Sequence, residues 1–264
     1  MSSGPTVVFL GPSLPAVEAR LLLPGSIILP PARQGDVYRA VRDHRPRRVA
    51  LIDGTFASVP AVWHRELLWA MAEARVRVYG AASMGALRAA ELDVYGMVGV
   101  GKIYRSYRSG RYPPYAEPFE DDDEVAVVHG PPEVASVSAS LAMVDVRETL
   151  AAAQAAGRIG PAVRDRLAAA IKGLFYPDRS LGHLVAAAEA LTEPDGAALA
   201  AWLRAGNTVS QKARDATMLL RRLAGGDERA AMPGFRFERV LVWERFRAMA
   251  DAGDPRPRLQ AMVG

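Results

Sequence analysis

Residues 75–92, Arg75-Val-Arg-Val-Tyr-Gly-Ala-Ala-Ser-Met-Gly-Ala-Leu-Arg-Ala-Ala-Glu-Leu92, constrain the fold more than any other stretch. Val76, Val78 and Tyr79 have the β-branched and aromatic character of a buried strand, while Ala86, Leu87, Ala89, Ala90 and Leu92 read as a closely packed helix. Only a few small residues separate the two, so a strand must turn directly into a helix that covers it. The unit repeats upstream. Thr6-Val-Val-Phe-Leu10, Ser26-Ile-Ile-Leu29 and Arg48-Val-Ala-Leu-Ile-Asp53 read as strands, and Val37 to His44 and Pro60 to Ala74 as helices. Alternation of this length predicts an α/β fold, a parallel sheet with flanking helices. Gly96-Met-Val-Gly-Val-Gly101 reads as a tight connection, and Val125-Ala-Val-Val128 as a last core strand.

Beyond Val134 the texture changes to alanine and leucine, and β-branched runs disappear. Helices are expected near 134–156, 161–174, 180–192, 196–205, 208–224 and 235–250, with Thr208 as one cap. The expected division is an α/β core over 1–135 and an all-helical C-terminal region over 136–264.

Ala81-Ala-Ser-Met-Gly85 is one alanine away from the G-x-S-x-G turn that lifts a nucleophilic serine above a sheet. The same geometry puts Ser83 at a helix N-terminus, where main-chain N–H groups stabilise an oxyanion. The competing reading is a simple helix cap. A nucleophile needs a base. Of the four histidines, His64 lies on the preceding helix and His129 follows the last strand candidate, at the carboxyl edge of the sheet where ligands gather. Asp53 ends the third strand at the same edge and would orient an imidazole or polarise a nucleophile. A separate possibility is an anion or nucleotide module, with Gly11-Pro-Ser13 and the Ser83 helix start cradling a phosphate. Arg88 and Glu91, three apart on a helix, are placed to pair.

The 264 residues contain no cysteine, which excludes disulfides, thiolate metal sites and any persulfide carried on the protein's own thiol. The net charge of +4 is too small and too scattered to predict nucleic-acid binding. No run of apolar residues is long enough to span a bilayer, so no membrane association and a cytoplasmic location are expected. Glu120-Asp-Asp-Asp-Glu124 reads as a solvated loop, with a Mg²⁺ site or a docking patch as alternatives. No metal site is expected.

Gly11-Pro-Ser-Leu14, Leu51-Ile-Asp-Gly54, Val62-Trp-His-Arg-Glu66, Gly80 through Leu92, Tyr95 through Gly101 and Asp122 through Pro131 resemble, in order, the core of the TfuA-like family, over roughly residues 6 to 175. Members of that family are partners of YcaO enzymes, which use ATP to activate a backbone amide. Together they are associated with thioamide formation in ribosomally made peptides and in methyl-coenzyme M reductase. The resemblance implies sulfur delivery to a YcaO partner, with ATP and Mg²⁺ on that partner and no cofactor in this chain. Without a thiol, two routes remain. In one, the chain hydrolyses a small ubiquitin-like carrier ending in a thiocarboxylate: Ser83 attacks, Met84 and Gly85 begin the oxyanion-binding helix, His129 or His64 is the base, and Arg88, paired or not with Glu91, receives the carrier's terminus. In the other, the chain is an adaptor that docks the sulfur donor onto YcaO.

Overall fold

The computed structural model describes residues 4–55, 59–128, 138–191, 195–226 and 234–252. Five strands form one parallel sheet: β1 (Thr6–Phe9), β2 (Ile27–Leu29), β3 (Arg48–Leu51), β4 (Arg77–Ala81) and β5 (Val98–Val100), in the order β2-β1-β3-β4-β5. Val7 pairs with Val49, and Leu51 with Gly80. Five helices belong to this half: α1 (Ala16–Leu22), α2 (Asp36–His44), α3 (His64–Ala72), α4 (Met84–Leu92) and α5 (Lys102–Ser109). Six more follow: α6 (Met143–Ala155), α7 (Pro161–Lys172), α8 (Leu181–Glu189), α9 (Asp195–Arg204), α10 (Gln211–Ala224) and α11 (Leu241–Asp251). The α/β sheet followed by a helical half is the predicted fold class. No helix among the described residues is long and apolar enough to cross a membrane.

The pleat sends alternate side chains to opposite faces. Val7, Phe9, Val49, Leu51 and Val78 pack against α2, α3 and α4. Val8, Leu10, Ala50, Ile52, Tyr79 and Ala81 pack against α1 and, from the far end of the sequence, against Ala216, Leu219, Leu220 and Leu223 of α10. A second apolar core lies among α5 to α9. Trp243 and Phe246 of α11 close an aromatic cluster with Tyr38, Trp63 and Trp69 of the α2–α3 face.

The fifth strand is not Val125–Val128, which forms no strand, but Val98–Val100, read in the sequence as a glycine-spaced connection. The ring of Tyr104 lies where a Cβ on Gly99 would be, 2.1 Å away, so this strand needs a glycine within it. The apolar character of Val125 and Val127 has another cause: both are buried in the helical core. Helix α3 starts at His64 instead of Pro60, because Pro60 O accepts the Gln34 N–H and Ala61 bridges Arg33 in the loop before it. Ser210, not Thr208, caps α10, its Oγ accepting the Ala213 N–H at 3.2 Å.

Candidate active site at the carboxyl edge of the sheet

The strand order reverses direction between β1 and β3, so the loops leaving these two strands diverge to opposite faces, the kind of switch point outside which open parallel sheets bind their ligands. Gly11–Ser13, Asp53–Thr55 and Ala82–Ser83 follow β1, β3 and β4 at this edge. Asp53 is fully buried there. Its Oδ2 accepts the N–H groups of Gly11 (2.8 Å) and Ser13 (3.1 Å), and its Oδ1 the Ser13 hydroxyl (2.6 Å). The donors expected to cradle a phosphate therefore already hold an internal carboxylate, and a phosphate at Gly11 and Ser13 would have to displace Asp53.

Ser83 is 2% exposed and occupies the N-cap position of α4, yet its side chain makes no capping hydrogen bond. The chain turns sharply just before it: Ala82 has φ 67° and the Ser83 N–H donates to Ala81 O at 2.9 Å. A left-handed alanine is held only where surrounding packing fixes it. Gly85 shows what fixes it. A Cβ on Gly85 would meet Leu51 O at 1.8 Å, and its N–H donates to Ile52 O at 3.2 Å, so α4 is drawn against the end of β3. The Gly85 N–H is engaged in the fold, whereas the Met84 N–H has no main-chain acceptor among the described residues.

His64, Arg88 and Glu91 form a separate cluster. His64 Nε2 lies 2.8 Å from Glu91 Oε2, and Arg88 reaches the same oxygen with Nη1 (2.7 Å) while Nε donates to Val62 O (3.0 Å). Burial pushes the Glu91 carboxyl up, but the His64 and Arg88 contacts outweigh it and hold the group below its ordinary value. Glu91 comes eight residues after Ser83, about 12 Å along the helix. The structure thus brings Asp53, Ser13, Gly11 and Ser83 to one edge and ties His64 to a partner some two turns away. His129 lies outside the described residues.

Lys212, on the first turn of α10, is a residue that sequence reasoning missed. It is 3% exposed, donates from Nζ to Val125 O at 3.1 Å, and lies within electrostatic range of the carboxylates of Asp53 and Asp145. Burial holds its ammonium below the usual lysine range. Asp145 of α6, itself raised by burial, accepts the N–H groups of Gln211 (2.7 Å) and Lys212 (3.2 Å), so α6 fixes the start of α10. The signal was present in the sequence: Lys212, Asp215, Ala216, Leu219, Leu220 and Leu223 share one helical stripe, and a lysine on a buried stripe is rarely accidental.

The acidic run is solvated over its first part, Glu120 to Asp122, as expected, but its end turns inward. Glu124 is buried against Arg147 (2.9 and 2.8 Å), and Asp123 pairs with Arg179 (2.5 Å) and Lys172. Among the described residues no group of His, Asp and Glu has the arrangement of a metal site.

No curated protein matches the chain. Residues 53–180 match the family described as TfuA-like protein, a match that starts at Asp53, takes in Ser83, Arg88 and Glu91, and leaves Gly11, Ser13 and Lys212 outside it. That match supports a role in the YcaO-associated thioamidation system. From Asp53 at the end of β3 to Ser180 at the start of α8, the chain carries a TfuA-like region.

Proposed function

We propose that the chain delivers sulfur to a YcaO enzyme by hydrolysing the thiocarboxylate of a small ubiquitin-like carrier, with Ser83 as nucleophile. One observation carries the reading: a buried serine at the carboxyl edge of a parallel sheet, its hydroxyl unused as a cap, beside a Met84 N–H that has no main-chain acceptor among the described residues. Attack of Ser83 Oγ on the thioacid carbon forms an ester and breaks the C–S bond. The serine proton leaves with sulfur as hydrosulfide. Water then cleaves the ester, returning Ser83 and releasing the carrier as a carboxylate and a proton. In this reading the Met84 N–H meets the developing oxyanion. Sulfide is released in a chain that has no thiol to capture it.

The adaptor reading has its own observation. His64 is held by Glu91, and Asp53 by the β1 loop, so neither is free to activate Ser83. One experiment separates the two: sulfide release from a thiocarboxylated carrier by Ser83→Ala. Hydrolysis expects a fall of roughly a thousandfold or more. Undiminished release removes Ser83 as nucleophile, and retained stimulation of YcaO by a variant that releases no sulfide favours the adaptor.

A further inference from the structure

Hydrolysis needs the carrier's anionic end held beside Ser83, and Arg88 is ill placed for it, since Nε and Nη1 are engaged by Val62 O and Glu91. Lys212 is different. Its ammonium has three donors and, among the described residues, a single hydrogen bond, to Val125 O. The charges of Asp53 and Asp145 act on it, but the first carboxylate is held by Gly11 and Ser13, and the second by Ser210, Gln211 and Lys212 main-chain and hydroxyl donors. A buried cation in that state lacks acceptors.

Two further groups at this edge are also unsatisfied. Gln34 is 4% exposed and, among the described residues, neither Oε1 nor Nε2 has a hydrogen-bond partner; Thr55 is half-buried, and its inaccessible Oγ1 likewise has no partner among the described residues. Their loops are joined at the ends of the strands, Ala32 N donating to Asp53 O at 2.9 Å and Thr55 N to Ala32 O at 3.0 Å. The chemistry of the three groups selects an occupant. A primary amide matches the N–H and C=O of a peptide bond, a hydroxyl adds one more contact, and an ammonium matches a terminal anion. A narrow chain end supplies all of these to two buried side chains and a half-buried one; a nucleotide phosphate offers no peptide bond.

We propose that the switch point outside β1 and β3 binds the carboxy-terminal tail of a protein, with its terminal carboxylate or thiocarboxylate on Lys212 Nζ and its main chain on Gln34 and Thr55. This deepens the reading of Ser83 and rests on it for the identity of the carrier, but it is tested without sulfide chemistry. The probe is a short acetylated alanine–glycine peptide, prepared with a free C-terminal carboxylate, a thiocarboxylate or an amide, and titrated calorimetrically into the full chain. The two acids bind, and the amide binds at least about tenfold more weakly. Lys212→Met lowers affinity for the acids by about tenfold or more and removes the discrimination, Lys212→Arg retains it, and Gln34→Leu weakens all three peptides alike.

The proposal is overturned by no binding of any peptide, by equal affinity of the unmodified chain for acid and amide, or by a folded Lys212→Met chain that still discriminates. The acid-against-amide comparison needs no variant, so a misfolded mutant does not shield it. Intact discrimination with undiminished sulfide release in Ser83→Ala sinks the hydrolysis and keeps the tail site. Release lost in Ser83→Ala with no discrimination does the reverse.

Discussion

Glu66 is fully buried, and its two oxygens accept main-chain N–H groups from Gly35, Val37, Tyr38 and Trp63 at 2.8 to 3.2 Å. One carboxylate from α3 therefore closes the N-terminus of α2 and the start of its own helix. Burial pushes its carboxyl up to about 7 despite these donors. With the folded value above the ordinary 4.5, the folded state holds a proton that the unfolded chain has released, so this contribution is fully present below about 4.5 and is lost as pH rises through about 7. Chemical denaturation across that window should show stability falling with pH in the native chain, and a flatter profile in Glu66→Gln; parallel profiles would contradict it. At this scale the sequence was legible wherever a residue type has a narrow use. Ser83 stood out because a serine between small residues at a strand–helix junction has few roles, and Asp53 because it ends a strand. His64 could be placed on the neighbouring helix as a candidate base, but only the register of α3 against α4 decides that its ring meets Glu91. Lys212 is legible as a lysine on a buried helical stripe, whereas Gln34 is anomalous only by its lack of hydrogen-bond partners among the described residues, which no spacing records.

Gly85 illustrates how an element-level cause can look like a chemical motif. The glycine two residues after the serine is required by the contact between α4 and Leu51 O, whether or not Ser83 reacts. Gly85→Ala should push α4 off β3 and destabilise the fold by about 3 kcal/mol, read as a shift in the denaturation midpoint. The Arg147–Glu124 pair is the corresponding link in the helical half: two nearly inaccessible charges joined by two hydrogen bonds, with Glu117 as a third partner. Removing Arg147 leaves the nearly inaccessible Glu124 with only Lys172 Nζ at 3.0 Å as a charged partner, so Arg147→Met should destabilise by about 3 kcal/mol, and the paired replacement Arg147→Met with Glu124→Leu by less. The inward turn of Asp123 and Glu124 at the end of the acid run is not legible locally because their partners lie on α6, α7 and the segment after α7, far along the chain. Similarly, Val125–Val128 was mistaken for a strand and Val98–Val100 for a loop. Apolar character reports burial, and only the neighbouring backbone decides whether a buried segment is paired.

The whole molecule is closed by its last third. Without α10, the sheet face carrying Val8, Ala50, Ile52, Tyr79 and Ala81 loses Ala216, Leu219, Leu220 and Leu223. A chain ending at residue 205 should therefore be recovered aggregated or with an exposed apolar face that binds a hydrophobic dye; a monomeric, cooperatively unfolding product would contradict this. The same helix also tethers three separate parts through its first turn. Asp215 accepts the N–H groups of Lys102 (2.9 Å) and Ile103 (2.8 Å) at the start of α5, Lys212 holds Val125 O, and Asp145 of α6 holds the Gln211 and Lys212 N–H groups. A hub of this kind opens or stays shut as a unit. The amide protons of Lys102, Ile103, Gln211 and Lys212, although more than a hundred residues apart in pairs, should exchange with solvent at one common rate, and a tail seated on Lys212 should slow all four together.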